Sequence, residues 1–541
     1  VRSSAASDVY KRQPEMSFIN LEYFLFVAVG LVVYYIMPKK IQWVVLLLMS
    51  YVYYLSFKVE AVVYIIFTTL VTFAAGLLIE KAETKGKEWL AANKETIDRD
   101  QKKAFKAKLK KKKKALMLAA VVLDFGLLAF VKYTNFFIEN INGIIGNRIN
   151  AIDILVPLGI SFYTFQSVSY VIDVYWGKVK AERNPFKFAL FVSFFPQIMQ
   201  GPIGRFDKLA PQFFAPHKFD LTRIEYGLQR IFWGFFKKLI LADRTAGYVN
   251  NVFVNNYQAF NGFYVIVAVL MYCVELYADF SGGMDIVIGT AEMFGITMDE
   301  NFKRPFFSKS IGEFWRRWHV TLGEWMKDYI FYPFSLSKAF NKIGKFTKKH
   351  FKNKHVAQTI PICISNLLIF FIVGVWHGAA WKYIMYGMYN GVIIAFSNLC
   401  KPLYKKGLEK CHINADGRVW TVVQILRTFI LVNIGWYFDM ALSFRAAIEM
   451  MINTVYQISF KPFTDGSIFT LGMARSDFLI VAIGCVIWFV VSYMQEKGIR
   501  IRDTVSKQIL PVRWALYLAL VFSIIIFGYI GQTQGFIYAQ F

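Results

Sequence analysis

The chain has 541 residues, of which 56% are hydrophobic and 18% aromatic, and its mean hydropathy is +0.41. A soluble chain of this length would be expected to form several domains, but so apolar a composition indicates a polytopic membrane protein. The formal net charge of +26 raises nucleic-acid binding as an alternative. The basic residues lie between apolar runs, however, as they do in cytoplasmic loops beside an anionic membrane surface. We therefore expect the lipid bilayer as a partner and no nucleic acid.

Residues 1–15 are polar and lack the apolar core of a signal peptide. We expect them to be a non-native or disordered leader that precedes the start at Met16. Residues 16–541 are then predicted to form a single integral-membrane domain.

Twelve apolar runs follow, most of them close to the roughly 17–25 residues that a helix needs to cross a bilayer. Because every backbone polar group must be paired inside lipid, these runs are predicted to be helices. The fold class is therefore all-α and polytopic. The predicted spans are 18–37, 41–57, 59–80, 115–138, 154–176, 224–242, 260–280, 358–376, 382–400, 421–440, 478–494 and 513–530.

Two lysine-rich loops set the orientation. Loop 81–114 has nine lysines between Lys102 and Lys114, and loop 337–357 also carries a lysine cluster. Positive loops stay in the cytoplasm. Alternation from loop 81–114 places both termini, including the tail 531–541, on the outer side of a multi-pass protein of the plasma membrane.

Two segments fit poorly as simple spans. Residues 186–202 are apolar but interrupted by prolines and glycine, and residues 283–334 mix aromatic with basic side chains. Irregular backbone survives at membrane depth only where protein or a water-filled cavity surrounds it. We interpret both segments as re-entrant or interfacial, and ordinary surface loops are the alternative.

Two of the six histidines each follow a tryptophan. His319 ends the run Phe314-Trp-Arg-Arg-Trp-His, and His377 closes an apolar span. A titratable group at the end of such a span is costly unless it has a function, and imidazole can take a proton from a hydroxyl and return it to a leaving group. The alternatives are a structural histidine at a helix end for His377 and a lipid-headgroup anchor for His319.

No metal or bound cofactor is predicted. A zinc site needs three or four ligands, no third histidine or cysteine has suitable spacing, and only acids such as Asp279 and Asp285 remain as further ligands. The chain also lacks a Gly-x-Ser-x-Gly elbow, a P-loop and a dinucleotide-binding glycine motif. Neither ATP nor NAD is therefore implied.

Several linked motifs resemble those of the membrane-bound O-acyltransferase family, and in particular its bacterial alginate O-acetyltransferase branch. They occur in the family's order and cover nearly everything from Met16 onward. The motifs are Leu155-Val-Pro-Leu-Gly-Ile-Ser-Phe-Tyr-Thr-Phe-Gln166, Phe195-Pro-Gln197, Gly201-Pro-Ile-Gly-Arg205, Pro211-Gln212, Tyr277-Ala-Asp-Phe-Ser-Gly282, Asn301-Phe302, Pro305-Phe306, Phe314 to Leu322, Trp325 to Ile330 and Val375-Trp-His377-Gly.

The resemblance implies a ring of about 11–13 transmembrane helices, with re-entrant or interfacial helices, around a central tunnel. It implies that His377 is the principal catalytic histidine and His319 the second. The acyl group, expected to be acetyl, would pass from a cytoplasmic thioester, either acyl-CoA or an acyl carrier protein, to a surface polysaccharide. An outer-face transferase partner would complete the transfer.

Five residues beside these histidines are candidates to line the tunnel or contact the donor. Arg316 and Arg317 carry charge that would steer an anionic donor such as a phosphopantetheine carrier, although contact with lipid headgroups explains them equally well. The candidates are Trp315, Arg316, Arg317, Trp318 and Trp376.

The last six residues read Phe536-Ile-Tyr-Ala-Gln-Phe541. This pattern is similar to the C-terminal motif of a small membrane partner in teichoic acid D-alanylation, where the tyrosine is implicated as a temporary acyl carrier. By that resemblance Tyr538 would be an acyl relay. The alternative is an interfacial aromatic tail.

Two other functions remain open from the sequence. An enzyme of the same fold that D-alanylates teichoic acid is the nearest alternative to a polysaccharide O-acetyltransferase. A transporter or channel is the alternative from a different class, but the internal repeats that many transporters show are not evident here.

Overall fold

A computed structural model describes residues 17–146, 148–529 and 535–537. Within those ranges the regular structure consists of α-helices with short 3-10 and π-helical segments, and no strand occurs among the described residues. The prediction of an all-α polytopic membrane protein is confirmed. The predicted leader 1–15, Met16 and the proposed relay residue Tyr538 lie outside the described residues.

The chain divides into two compact units. The first contains the chain up to Leu228 together with Val287–Asp299. Its helices are α1 (Leu21–Ile36), α2 (Gln42–Leu55), α3 (Val62–Ala92), α4 (Arg99–Ile145), α5 (Ile160–Trp176), α6 (Pro185–Ser193), α7 (Phe195–Ile198), α8 (Phe206–Phe214) and the first half of α9 (Leu221–Phe235).

The second unit contains Gln229–Ile286 and the chain from Glu300 onward. It begins within α9, which continues as a π-helical segment, Phe236–Ala242. Its further helices are α10 (Asp243–Val249), α11 (Phe263–Met293) as far as Ile286, α12 (Ile311–Arg317), α13 (Val320–Met326), α14 (Tyr332–Ser335), α15 (Lys338–His350), α16 (Lys354–His377), α17 (Trp381–Leu399), α18 (Lys401–Lys410), α19 (Arg418–Met440), α20 (Phe444–Val455), α21 (Lys461–Thr464), α22 (Arg475–Glu496), α23 (Ile501–Ser506) and α24 (Leu510–Phe527).

Every one of the twelve predicted spans contains a helix. Seven helices among the described residues are long and apolar enough to cross a bilayer, namely α3, α4, α11, α16, α19, α22 and α24. Large apolar side chains on them remain exposed, such as Val122 on α4 and Ile483 on α22. That exposure suits a lipid environment, where apolar surface needs no burial against protein. The ring and the central tunnel stay predictions.

The lysine-rich segment 81–114 is mostly helical, although it was predicted as a loop. Helix α3 continues to Ala92, and α4 begins at Arg99 after a capping box in which Asp98 accepts from the Gln101 N–H at 2.7 Å. Lysine, alanine and leucine are good helix formers, so both helices extend beyond their apolar parts. The second lysine-rich segment, 337–357, likewise contains helix α15 and the first turn of α16.

The segment predicted to be re-entrant near residues 186–202 is packed inside its unit. Residues 188–204 are all buried, although α6 and α7 are short and the backbone after α7 is irregular. The Gln166 side-chain amide donates to the Phe191 carbonyl at 2.6 Å, which satisfies a buried backbone carbonyl near the end of α6. This burial favours a re-entrant segment over a surface loop, as the cost of irregular backbone in lipid requires.

Candidate active site

His319 occupies a strained backbone position between α12 and α13. Its φ is +48°, in the left-handed region that non-glycine residues seldom adopt, and its side chain is 1% exposed. The Val320 N–H donates to the Asn301 carbonyl at 2.9 Å, which ties this turn to the segment that follows α11. A strained conformation persists only where its surroundings hold it, and here it turns an imidazole into the interior of the second unit.

Asn301 sets the proton position on His319. Its Oδ1 lies 3.1 Å from the Thr321 backbone nitrogen, 2.9 Å from Thr321 Oγ1 and 3.2 Å from His319 Nδ1. A backbone N–H can only donate, so the Asn301 atom that faces it is the carbonyl oxygen. His319 Nδ1 therefore carries the hydrogen, and in the neutral ring the lone pair is on Nε2.

Burial keeps His319 in its neutral form. The pKa of His319 is lowered well below its ordinary value, mainly by the loss of solvation and to a smaller extent by the nearby His377 imidazole. Both causes disfavour the imidazolium. At neutral pH the ring is therefore uncharged, with its lone pair on Nε2.

His377 is the last residue of α16, and its side chain is 2% exposed. Helices α16 and α17 pack along their length, and two glycines allow the close approach. A Cβ on Gly374 would lie 2.6 Å from the Tyr383 carbonyl oxygen, and one on Gly387 would lie 2.1 Å from that of Phe370. Any side chain at either position would push the helices apart and displace His377.

Trp376 joins the two histidines into one group, which we call the histidine cluster (His319, Trp376 and His377). The Trp376 ring centroid is 5.5 Å from that of His319 and 5.2 Å from that of His377. Phe280 packs against His319 at 5.0 Å, and Tyr386 packs edge-on against His377 at 5.8 Å. The structure thus brings together the two histidines that the sequence singled out, in a buried setting lined by aromatic rings.

The other two tryptophans of the predicted site pack beside the cluster. Trp318 is 1% exposed and stacks on Phe314 at 5.4 Å, with Trp436 5.3 Å away. Trp315 donates its indole N–H to Asn390 Oδ1 at 3.0 Å. These contacts hold the two tryptophans in place, and a tunnel lined by their rings remains a prediction.

Arg316 and Arg317 have different environments. Arg317 forms ion pairs with Glu313 at 2.8 Å and with Glu496 at 3.0 Å. Arg316 is exposed. Arg317 therefore ties α12 to α22, and Arg316 is the better placed of the two to meet an anionic group from outside.

The two acids that the sequence left as further metal ligands pair with lysines. Asp279 Oδ1 lies 2.7 Å from Lys238 Nζ, and Asp285 Oδ2 lies 2.6 Å from Lys237 Nζ. Across the part of the chain that the structure describes, no three histidine, cysteine, aspartate or glutamate side chains are grouped as a metal site would need. These carboxylates serve as ion-pair partners inside the second unit.

Sequence reasoning missed several residues that shape the site. Asn301 was noted only as part of a motif, and its role towards His319 depends on contacts that spacing does not reveal. Asp439 accepts the Tyr272 hydroxyl at 2.7 Å, and its carbonyl accepts from Lys382 Nζ at 3.0 Å. Polar residues within apolar helices were the available signal, since they are seldom placed there without a partner.

Comparison with known proteins identifies the family. The model of the membrane-bound O-acyltransferase family matches residues 180–436, which include both histidines. The chain is 32% identical over 439 residues to the probable alginate O-acetylase AlgI of Pseudomonas aeruginosa, covering 80% of this chain and 73% of that protein. The chain belongs to the membrane-bound O-acyltransferase family. It is therefore an acyltransferase and a multi-pass membrane protein, and its similarity to an O-acetylase supports O-acetyl transfer.

Two further relatives of this O-acyltransferase differ in what their names say they modify. It is 28% identical over 365 residues to the peptidoglycan O-acetyltransferase of Helicobacter pylori, covering 63% of this chain and 64% of that protein. It is 32% identical over 292 residues to the teichoic acid D-alanyltransferase of Bacillus subtilis, covering 52% of this chain and 67% of that protein. The relatives of this chain are therefore named for transfer of more than one kind of acyl group to more than one kind of acceptor.

Proposed function

We propose that this O-acyltransferase moves an acetyl group from a cytoplasmic thioester, either acyl-CoA or an acyl carrier protein, across the membrane for O-acetylation of a cell-surface polysaccharide. The observation that carries the proposal is that the rings of His319 and His377 both pack edge-on against one buried indole, that of Trp376. His377 is the proposed principal catalytic residue and His319 the second.

The chemistry needs only a base and a dry site. A lone pair on imidazole accepts the proton of the attacking hydroxyl, whose oxygen forms a bond to the thioester carbonyl carbon. The carbon–sulfur bond then breaks, and the imidazolium returns its proton to the departing thiolate. The thioester is already activated, so ATP has no role at this site. Burial of both histidines keeps water from competing with the acceptor.

Tyr538 is the proposed first acceptor. Its phenol would take the acyl group at the histidine cluster and pass it to an outer-face transferase partner, which completes transfer to the polysaccharide. Replacing Tyr538 with phenylalanine removes one oxygen and nothing else. Loss of polymer acylation in the Tyr538→Phe variant at unchanged protein level supports the relay, and full acylation refutes it.

The orientation is part of the proposal. Residues 16–541 form one integral-membrane domain after the leader 1–15, with both termini on the outer side of the plasma membrane and the lysine-rich segments in the cytoplasm. Arg316 then faces the donor compartment and meets the phosphates of CoA or of a phosphopantetheine carrier. A C-terminal reporter active only in the cytoplasm would overturn this orientation.

D-alanyl transfer to teichoic acid is the second candidate, and the 32% identity to the teichoic acid D-alanyltransferase favours it specifically. Mass analysis of surface polymers from cells with and without the gene separates the two. We expect loss of ester-linked acetyl from a polysaccharide. Loss of ester-linked alanine from teichoic acid would instead establish the second candidate, and no change in either polymer would refute both.

A further inference from the structure

The described end of the chain, residues 535–537, is inserted among buried groups of the second unit. The Ile537 N–H donates to Asp279 Oδ2 at 2.9 Å. The Phe536 side chain is 1% exposed, and Lys238 Nζ lies 4.8 Å from the centre of its ring. Both contacts are specific: a buried carboxylate accepts a backbone N–H, and an ammonium lies over an aromatic ring. Together they fix residues 535–537 against α11 and the π-helical segment Phe236–Ala242.

A second anchor lies at the end of the last helix. The Tyr529 N–H donates to the Leu239 carbonyl at 2.9 Å, and the Arg244 guanidinium lies 5.6 Å from the Tyr529 ring centre. Arg244 also donates to the Phe527 carbonyl. The two described parts of the C-terminal segment therefore both bind the stretch from Lys238 to Arg244, independently of each other.

The charges at the first anchor favour a hydrogen-bond donor from the tail. Lys238 Nζ lies 2.7 Å from Asp279 Oδ1 and 2.8 Å from Asp243 Oδ1. Glu275, one turn before Asp279, is also buried. Two carboxylates thus contact this lysine, and a third carboxyl group lies one turn away on α11. An extra N–H donor is needed here because a buried carboxylate oxygen without a donor is costly, and the tail supplies it at Asp279 Oδ2.

The anchor is close to the histidine cluster along α11. Asp279 lies sixteen residues into this helix, a rise of about 24 Å from its first residue at 1.5 Å per residue, so the tail reaches the middle of the helix. The next residue, Phe280, packs against His319 at 5.0 Å. The tail is therefore bound one residue away from the ring that supports His319.

We infer that Lys238 and Asp279, with the pocket that encloses Phe536, form a docking site for the C-terminal segment of this same chain. Docking holds the segment beside the middle of α11, with Ile537 as the last residue before Tyr538. Lys238 and Asp279 are thereby positioning residues for the tail. Docking stands on the contacts alone, whereas its purpose, to present Tyr538 to the histidine cluster, rests on the proposed relay.

Amide hydrogen exchange of the full-length protein in lipid nanodiscs tests the docking directly, with the Ile537 amide resolved by fragmentation mass spectrometry. In the parent, one Asp279 oxygen accepts from Lys238 and the other from the Ile537 N–H. Asp279→Asn leaves a single oxygen, so either Lys238 or the Ile537 N–H then faces an NH2 group. Phe536→Ala empties the aromatic pocket and leaves the helices unchanged. Asp285→Asn is the matched control, since it removes a carboxylate of the same helix that pairs with Lys237 and is not the acceptor of the Ile537 N–H.

The Ile537 amide should exchange slowly in the parent and in Asp285→Asn, and at least about tenfold faster in Asp279→Asn and Phe536→Ala, as release of a locally docked segment requires. Fast exchange in the parent, or equal protection in all four proteins, would overturn the docking site. Surface-polymer acylation measured on the same variants separates the two claims. Lost protection with lost acylation supports docking and relay together, while lost protection with full acylation keeps the docking site and removes the relay.

Discussion

Replacement of Asn301 by leucine tests how the site holds His319. Leucine has nearly the same shape but offers no oxygen to the three donors that converge on Asn301 Oδ1, namely His319 Nδ1, the Thr321 N–H and Thr321 Oγ1. The Thr321 hydroxyl can rotate towards another acceptor, but the other two donors cannot. We expect the variant to lose both stability and the preferred His319 tautomer.

The sizes of both effects follow from the contacts. A hydrogen bond between neutral groups contributes about 0.5–1.5 kcal/mol. Loss of the bond to His319 therefore changes the tautomer ratio, and with it the rate, by about two- to twelvefold. Each of the two donors left buried costs about 1–3 kcal/mol, so the unfolding free energy should fall by about 2–6 kcal/mol.

Three measurements check this prediction. The acyl-transfer rate in vesicles, the melting temperature in detergent and the 15N shifts of labelled histidine report rate, stability and tautomer separately. Thr321→Val is the matched control, because it removes the hydroxyl contact to Asn301 and leaves the His319 contact intact. A folded Asn301→Leu protein with the parent rate and the parent His319 tautomer would refute the role of Asn301.

Three further predictions follow from the same geometry. Asn301→Asp places a negative charge beside His319 Nδ1, which raises the pKa of His319. The acidic limb of the pH–rate profile should therefore move to higher pH, and an unmoved limb would mean that His319 does not titrate in the reaction. Arg316→Gln should raise the KM for the thioester at unchanged stability, whereas Arg317→Gln should lower the unfolding free energy by about 1 kcal/mol because it loses partly exposed ion pairs. Saturation kinetics and thermal melts that show the reverse pattern would contradict a donor-binding role for Arg316 and a structural role for Arg317. Gly387→Val should lower the melting temperature, since added bulk in the packed contact between α16 and α17 costs about 1–3 kcal/mol or more. A melting curve like that of the parent would show that the two helices separate easily.

The helices were predictable from sequence and their ends were not. Hydropathy identifies the part of a helix that lies in lipid, so each apolar run contained a helix. Helices α3 and α4 extend beyond that part, because their lysines reach water while the backbone stays helical, as the capping box at Asp98 shows. A charge pattern sets orientation but does not distinguish a loop from a helical hairpin.

The candidate site was predictable in its residues but not in its contacts. The motifs pointed to His319 and His377, and the rings do meet at Trp376. Adjacent arginines look equivalent in sequence, yet only Arg317 has Glu496 as a partner, because that carboxylate comes from a distant helix. Contacts of this kind depend on tertiary packing, which spacing within a motif does not encode.

The most direct test of the central claim is acyl transfer by the His377→Ala protein. Purified protein in sealed vesicles, supplied with labelled acetyl-CoA or the labelled acyl carrier, is assayed for acetyl transfer alongside the parent and His350→Ala. The exposed His350 serves as the matched control for loss of an imidazole. We expect the His377→Ala protein to assemble like the parent and to lose at least about a hundredfold in rate, the contribution of a positioned general base. The His350→Ala protein should transfer acetyl at the parent rate. A well-folded His377→Ala protein with the full transfer rate would contradict the proposed role of His377.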